Sequence, residues 1–319
     1  MHMDGKRVTV FGGAGFIGRT IVRELARRGA RVTVGCRDVE RAKFLKPMGV
    51  VGQVTPIKVE VTNAGQIARA LEGADIAISL VGILYQSGRN TFEAVQANGP
   101  GLIARAAADA GVDQLVHVSA IGADVGSASS YARSKALGEA AVREAFPAAT
   151  ILRPSIVFGP DDNFFNFFAS LAGISPVLPL VGGGRTLFQP VFVHDVAAAA
   201  LGVLARSDAQ GRTYELGGPK VYSFHQLMDL MMAHTKRPRG LVNLPFWLAT
   251  LQAGVLELLP KPILTRDQVE LLKIDNVVSD DAAGLAELGV EATPCETVLP
   301  TYLDRFRPGG RFNRSRVHA

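Results

Sequence analysis

The chain has 319 residues and 33.9 kDa, and its 48% hydrophobic and 20% charged content excludes intrinsic disorder and leaves room for one large domain, or a main domain with a smaller partner. The net charge of +5 equals the five arginines of the acid-free stretch Arg305 to Ala319 (Arg305, Arg307, Arg311, Arg314 and Arg316), so the remainder is formally neutral and no nucleic-acid partner is implied. Cys36 and Cys295 are too few for a disulfide scaffold; with no Cys/His cluster of metal spacing and no secretory signal in the opening residues, the expectation is a metal-free protein of the reducing cytoplasm.

The residues Arg7-Val-Thr-Val-Phe11 predict a strand, Gly12 to Gly18 a turn, and Arg19 to Arg28, closed by Gly29, an amphipathic helix. A second strand, Val32 to Cys36, follows at once. Further strands are expected at Val54 to Val61, Ile76 to Val81, Leu115 to Ser119 and Thr150 to Val157, with helices at Ala64 to Leu71, around Asn98 to Ala110, and from Tyr131 to about Phe146. This alternation predicts right-handed crossovers and an α/β fold, a doubly wound parallel sheet of Rossmann type over residues 1–160. Beyond Gly159 the prolines at 160, 176, 179 and 190 punctuate aromatic and glycine-rich segments. Residues 161–319 are therefore expected to form a smaller, mostly helical C-terminal portion, with segments returning to the main domain and a basic tail. Neither uncharged run, Asn163 to Gly184 or Leu241 to Leu256, is long and continuous enough to span a membrane.

Gly12, Gly15 and Gly18 form G-x-x-G-x-x-G between a strand and a helix. The first glycine allows the tight turn, the second removes a side chain that would block a pyrophosphate, and the third lets the helix approach the strand. The helix opened by Phe16 and Ile17 offers unpaired N–H groups and a positive dipole to a diphosphate. Where an NAD-type site carries an acid for the ribose 2′-hydroxyl, spacing places Cys36, and Arg37 beside it can clamp a 2′-phosphate, so NADP(H) is favoured over NAD(H). Asp38 keeps NAD(H) open, because a one-residue shift of the strand end restores the acid.

In Tyr131-Ala-Arg-Ser-Lys135, hydroxyl and ammonium stand four apart and share a helix face, while Ser119 closes the preceding strand. A nearby ammonium stabilises phenolate, so Tyr131 could exchange a proton with an alcohol or carbonyl held also by Ser119. An ordinary surface pair is the alternative. Together with Gly12-Gly-Ala-Gly-Phe-Ile-Gly18 and Leu152-Arg-Pro-Ser-Ile-Val-Phe-Gly159, this constellation resembles the short-chain dehydrogenase/reductase superfamily in its extended or atypical branch. The resemblance implies Ser119, Tyr131 and Lys135 as catalytic residues, with Tyr131 and Lys135 also on the cofactor. It implies Glu60 against adenine, with Val61, Val81 and Gly82 in the same cofactor-binding set, Pro154 and Ile156 near the nicotinamide, and Asn98 as a structural asparagine. Val193-His-Asp195 resembles the family segment that returns to the sheet.

Four longer pieces narrow the resemblance: Tyr131-Ala-Arg-Ser-Lys135 with Ala-Leu-Gly-Glu139, Arg153 to Pro160, Asp162-Asn-Phe-Phe-Asn-Phe-Phe168 and Gly183 to Val193. They are similar to the nucleotide-binding accessory subunit of respiratory complex I and its bacterial relatives. That implies tight NADPH binding, an accessory or assembly role, complex I subunits or the membrane surface as partners, and a cytoplasmic place peripheral to the inner membrane. The alternative it leaves is an active NADPH-dependent oxidoreductase, or an epimerase- or dehydratase-like enzyme, on an apolar carbonyl or alcohol substrate.

The cluster Phe164, Phe165, Phe167 and Phe168 reads first as core and second as a partner- or lipid-facing loop. Leu244 to Leu259, apolar nearly all round and holding the single Trp247, reads first as buried against the sheet edge and second as a membrane- or partner-facing surface. The basic tail reads first as a solvated terminus and second as a dock for an acidic partner or anionic lipid. His117, His194 and His225 form no metal set, and Ser119 is in no nucleophile elbow.

Overall fold

The computed structural model describes residues 3–310. The β-branched and apolar runs become strands and the amphipathic runs helices in the order β1 (Arg7–Phe11), α1 (Phe16–Arg27), β2 (Arg31–Cys36), α2 (Val39–Ala42), β3 (Val54–Lys58), α3 (Ala64–Leu71), β4 (Ile76–Ser79), α4 (Gly99–Asp109), β5 (Gln114–Val118), α5 (Ser130–Ala145) and β6 (Thr150–Pro154). The chain continues as β7 (Val157–Phe158), α6 (Phe165–Ile174), β8 (Val177–Val181), β9 (Leu187–Phe188), β10 (Val191–Phe192), α7 (Val193–Leu204), β11 (Thr213–Leu216), β12 (Tyr222–Ser223), α8 (Phe224–Thr235), β13 (Gly240–Leu244), α9 (Phe246–Leu256), α10 (Arg266–Leu271) and α11 (Cys295–Leu303). Side-chain caps fix several starts: Asn63 accepts from the Gln66 N–H to open α3, Ser129 accepts from Ala132 to open α5, and Ser223 and Thr265 open α8 and α10 with reciprocal capping boxes.

Two compact units result. Among the described residues the first comprises 3–154, Val193–Leu216 and Ser279–Glu291, the second Ser155–Phe192, Gly217–Val278 and 292–310. In the first unit seven parallel strands run in the order β11-β6-β5-β4-β1-β2-β3. Phe11, Ile67, Leu71, Ile103, Ala107, Leu115 and Val142 bury one face beneath α3, α4 and α5, and α1 and α7 pack together on the other. Strand order reverses between β1 and β4, and this switch point is where the carboxyl ends of a doubly wound sheet open a crevice. The fold is the Rossmann-type α/β sheet read from the sequence.

The second unit has three two-stranded pairs, β7 with β10, β9 with β12 and β8 with β13, around a core that includes Phe158, Phe165, Leu178, Leu227, Met231, Leu299 and Tyr302. Phe164 stacks edge-on with Phe165 and Phe168 at 5.2 and 5.3 Å between centroids, so the phenylalanine cluster is mainly core; Phe167 is exposed.

Several expectations need correction. The strands expected to reach Val61 and Val81 end at Lys58 and Ser79, because the ladders that hold them stop at the pairs Cys36–Lys58 and Phe11–Ser79. The helix expected around Asn98 begins earlier, as a π-helical turn over Glu93–Asn98. In α9 only Ala249 and Ala253 are buried, against Val269 of α10, and Trp247 is exposed, so burial of the whole segment does not hold. The start of the basic tail is held in place: Arg305 Nη2 donates to Asn166 Oδ1 at 2.7 Å and Arg307 Nε to the His234 carbonyl oxygen at 2.8 Å. Arg311, Arg314 and Arg316 lie outside the described residues. Among the described residues, no helix is long and apolar enough to cross a membrane, and no three His, Cys, Asp or Glu gather as metal ligands.

Candidate functional site

The turn after β1 is built by hydrogen bonds that draw the backbone tight: Gly12 N–H donates to the Gly35 carbonyl oxygen and Gly15 N–H to that of Gly12, both at 3.0 Å. Gly12 has φ +80°, the left-handed region that disfavours a side chain, and a Cβ there would stand 3.2 Å from the Leu80 backbone. A Cβ on Gly18 would lie 2.4 Å from the Gly12 oxygen and 2.6 Å from Gly13 Cα, so only glycine lets α1 come this close to the turn. Gly15 is the N-cap of α1 and supplies no side chain; the N–H groups of half-buried Phe16 and Ile17 and of Gly18 open the helix uncapped.

At the next strand end, β2 closes on Cys36, whose Sγ–H points at the Ile57 carbonyl oxygen at 3.5 Å; partial burial and the Asp38 charge push the thiol up. Arg37 is exposed and forms no ion pair with any described residue. Asp38 is committed elsewhere. It caps α2 through the Arg41 N–H at 3.0 Å and pairs with the Arg41 guanidinium at 3.6 Å. Past β3, half-buried Glu60 donates its N–H to Gln66 Oε1 at 2.8 Å, and Val61 is half-buried beside Gly99. Past β4, half-buried Val81 precedes Gly82, where a Cβ would stand 3.7 Å from Lys135 Nζ and 3.5 Å from Gln96 Oε1.

Tyr131 and Lys135 lie one turn apart at the start of α5, with the Tyr131 ring edge-on to Phe92 at 5.9 Å. Lys135 is 5% exposed, and its ammonium donates to the Val118 carbonyl oxygen at 3.2 Å. Burial pushes its pKa down to about 8, against the opposing pull of Glu139. Ser119 follows β5 with its hydroxyl buried and without a hydrogen-bond partner, as is His117 Nε2 two residues earlier. His117 Nδ1 meets Ser79 Oγ at 3.3 Å, and burial with the charges of Lys135 and Arg143 lowers its pKa to about 3, so the ring is neutral. Pro154 ends β6 and accepts the Ile121 N–H at 3.0 Å. Ile156 belongs to the second unit, where its N–H donates to Asn276 Oδ1 at 3.0 Å.

Three features were not legible in the motifs. Asn98 is exposed; the buried amide is Gln96, whose Oε1 accepts the Ile83 N–H at 2.6 Å and whose Nε2 donates to Ser134 Oγ at 2.9 Å. Gln96 lies in the π-helical turn Glu93–Asn98, outside regular helical spacing. Glu139, buried one turn below Lys135, takes a forked pair of bonds from Arg153 at 2.8 and 2.7 Å, with Arg143 at 3.2 Å. Glu215 on β11 faces the same guanidinium at 3.5 Å. The i+4 step from Lys135 was the available signal for Glu139; nothing local announces Glu215.

An uncapped helix start behind three spatially required glycines, an unpaired arginine beside the β2 end, and an orphaned hydroxyl near a buried ammonium fit an adenine dinucleotide. Residues 12–163 match a family of NAD(P)H-binding domains and residues 123–247 the RmlD substrate binding domain. The chain is 36% identical over 96% of its length to the mitochondrial NADH dehydrogenase (ubiquinone) 1 alpha subcomplex subunit 9 of Mus musculus, covering 81% of that protein. It is 32% identical over 98% of its length to the mitochondrial NADH-ubiquinone oxidoreductase 40 kDa subunit of Neurospora crassa, covering 82% of it. The chain belongs to this family of complex I subunits. Its first unit is an NAD(P)-binding domain of the short-chain dehydrogenase/reductase type. Its fold matches the NADPH-dependent quinone oxidoreductase of Escherichia coli solved with NADPH, with TM-score 0.73 at 18% identity over 92% of this chain and 99% of that one.

Proposed function

We propose that the protein holds NADP(H) on its first unit and serves as an accessory or assembly subunit associated with respiratory complex I, cytoplasmic and peripheral to the inner membrane. The family likeness along nearly the whole chain carries this reading. In it the uncapped N–H groups of Phe16, Ile17 and Gly18 receive the diphosphate past Gly12 and Gly15. Arg37 takes the 2′-phosphate, Glu60 and Val61 border adenine, and Val81, Gly82 and Pro154 border the nicotinamide. Tyr131 and Lys135 hold the adjoining ribose. Asp38, occupied as a cap, supports Arg37 over an NAD-type acid.

The test is to denature freshly isolated protein, identify the released nucleotide, and compare NADPH with NADH in titrations. Arg37→Ala is expected to weaken NADPH by about 1.5–3 kcal/mol and leave NADH unchanged. Equal NADPH affinity in wild type and variant rejects the assignment. Deleting the gene should, on this reading, lower the amount of assembled complex I in the membrane.

The orphaned Ser119 hydroxyl favours a second reading, a working reductase. A nicotinamide would supply hydride; Ser119 would donate a hydrogen bond to a substrate carbonyl, Tyr131 would deliver the proton, and Lys135 would hold that phenol ionisable. Oxidation of NADPH by a carbonyl compound, lost on Tyr131→Phe, is the outcome this reading expects, and its absence across a broad panel of carbonyls counts against it.

A further inference from the structure

We infer that α9 and the connection after it form a surface that seats on an anionic phospholipid bilayer, lying in its plane. Trp247, Leu251 and Val255 recur every fourth residue and are 70, 64 and 65% exposed; Leu258 at 83% and Ile263 at 55% continue the apolar surface. At 3.6 residues per turn the helical three fall within one quarter of the circumference, roughly opposite Ala249 and Ala253, which pack on Val269. α9 carries no charged residue, so nothing on the exposed stripe opposes desolvation. An eleven-residue helix is too short to span, which leaves the interfacial orientation.

Charge selects the occupant. From Lys236 to Arg266 the sequence carries Lys236, Arg237, Arg239, Lys261 and Arg266 against one acid, Glu257, and Arg266 binds that acid at 2.9 Å. Lys236 and Lys261 are exposed and pair with no described acid. The described chain also ends beside one of these residues. Arg237 Nε donates to the Phe306 carbonyl oxygen at 2.6 Å, and beyond Gly310 the sequence adds Arg311, Arg314 and Arg316 and no acid. A second copy of the chain seated symmetrically would bring like charges together, whereas an anionic bilayer meets both the apolar stripe and the cations. This deepens the peripheral placement proposed above, but its test needs no nucleotide.

Trp247 is the only tryptophan and therefore reports its own surroundings. Full-length protein is mixed with vesicles of phosphatidylcholine alone, or with a third of it replaced by phosphatidylglycerol, and co-sedimentation and tryptophan emission are read together. Expected are binding to the anionic vesicles at least tenfold tighter than to the neutral ones, a blue-shifted emission, and quenching by lipids brominated on their acyl chains. Leu251→Glu with Val255→Glu should lower the affinity at least tenfold. Lys236→Gln with Lys261→Gln should lower it about fivefold per charge removed, in a manner that high salt masks. Should the acidic variant fail to fold, wild-type quenching decides alone. The inference is overturned if wild-type emission is unmoved by anionic vesicles, if Leu251→Glu with Val255→Glu binds as wild type, or if the blue shift follows protein concentration without lipid, which would mark a second copy as the occupant. Vesicle binding by protein that neither retains NADPH nor takes it up on titration would defeat the cofactor reading and support this one.

Discussion

Lys135 stands in the fold at a cost. Its pKa is about 8 in the native protein against 10.5 for an ordinary lysine, so the charged form is the disfavoured one. Below pH 8 the folded protein carries the full penalty; as pH rises from 8 to 10.5 the unfolded chain binds more protons than the folded one, and the penalty disappears. Lys135→Met should therefore be more stable than wild type by roughly 2–3 kcal/mol at pH 7, with the gap closing by about pH 10.5, as urea denaturation at the two pH values will show. A variant no more stable than wild type at pH 7 contradicts this account. A group that weakens the fold and is nevertheless present is better explained by a ligand than by packing. Tyr131 and Lys135 were legible because a four-residue step is a local property of a helix. Gln96 and Glu215 were not, since their partners come from elsewhere in the chain and no short pattern encodes them.

At the level of elements, the turn between β1 and α1 is the least tolerant part of the candidate site. A methyl group at Gly18 meets backbone atoms at 2.4 and 2.6 Å, and backbone cannot yield as a flexible side chain can. Gly18→Ala is expected to destabilise by roughly 1–3 kcal/mol and to lose nucleotide binding, while Gly65→Ala in α3, with no atom nearer than Asn63 Oδ1 at 3.6 Å, is expected to be neutral or to stabilise by up to about 1 kcal/mol. Thermal melts and nucleotide titration of both variants check the contrast; equal effects would mean that helix propensity, and not space, governs the turn. The central strands β1, β4 and β5 were readable from apolar and β-branched runs, because they are buried on both faces along nearly their whole length. α9 was not. Its sequence is apolar all round and says nothing about which side finds cover; that is decided by where α10 lies, and the small Ala249 and Ala253 are the side chains that admit it.

For the molecule as a whole, a nucleotide bound only to the folded state stabilises by mass action. At a hundred times its dissociation constant, NADPH should add about 2.7 kcal/mol and raise the melting temperature, with the largest gain in amide protection at β1 and α1. An unchanged melting curve at saturating NADPH would deny the cofactor site. Fold class was legible at this scale because strand and helix alternate regularly to β6. The composition of the first unit was not, because β11 is only four residues long and is drawn to β6 by contacts distant in sequence.

That late strand bears on how the protein is made. Arg153 of β6 meets Glu215 only after 62 further residues have been added, and until then the edge of β6 that β11 will cover has no strand on it. On the ribosome the emerging polypeptide must carry an adhesive border through the translation of the first segment of the second unit, Ser155–Phe192, and of α7, a hazard for misassembly with neighbouring nascent chains. A gene fragment stopped at Pro154 would make that transient state permanent and should precipitate when expressed.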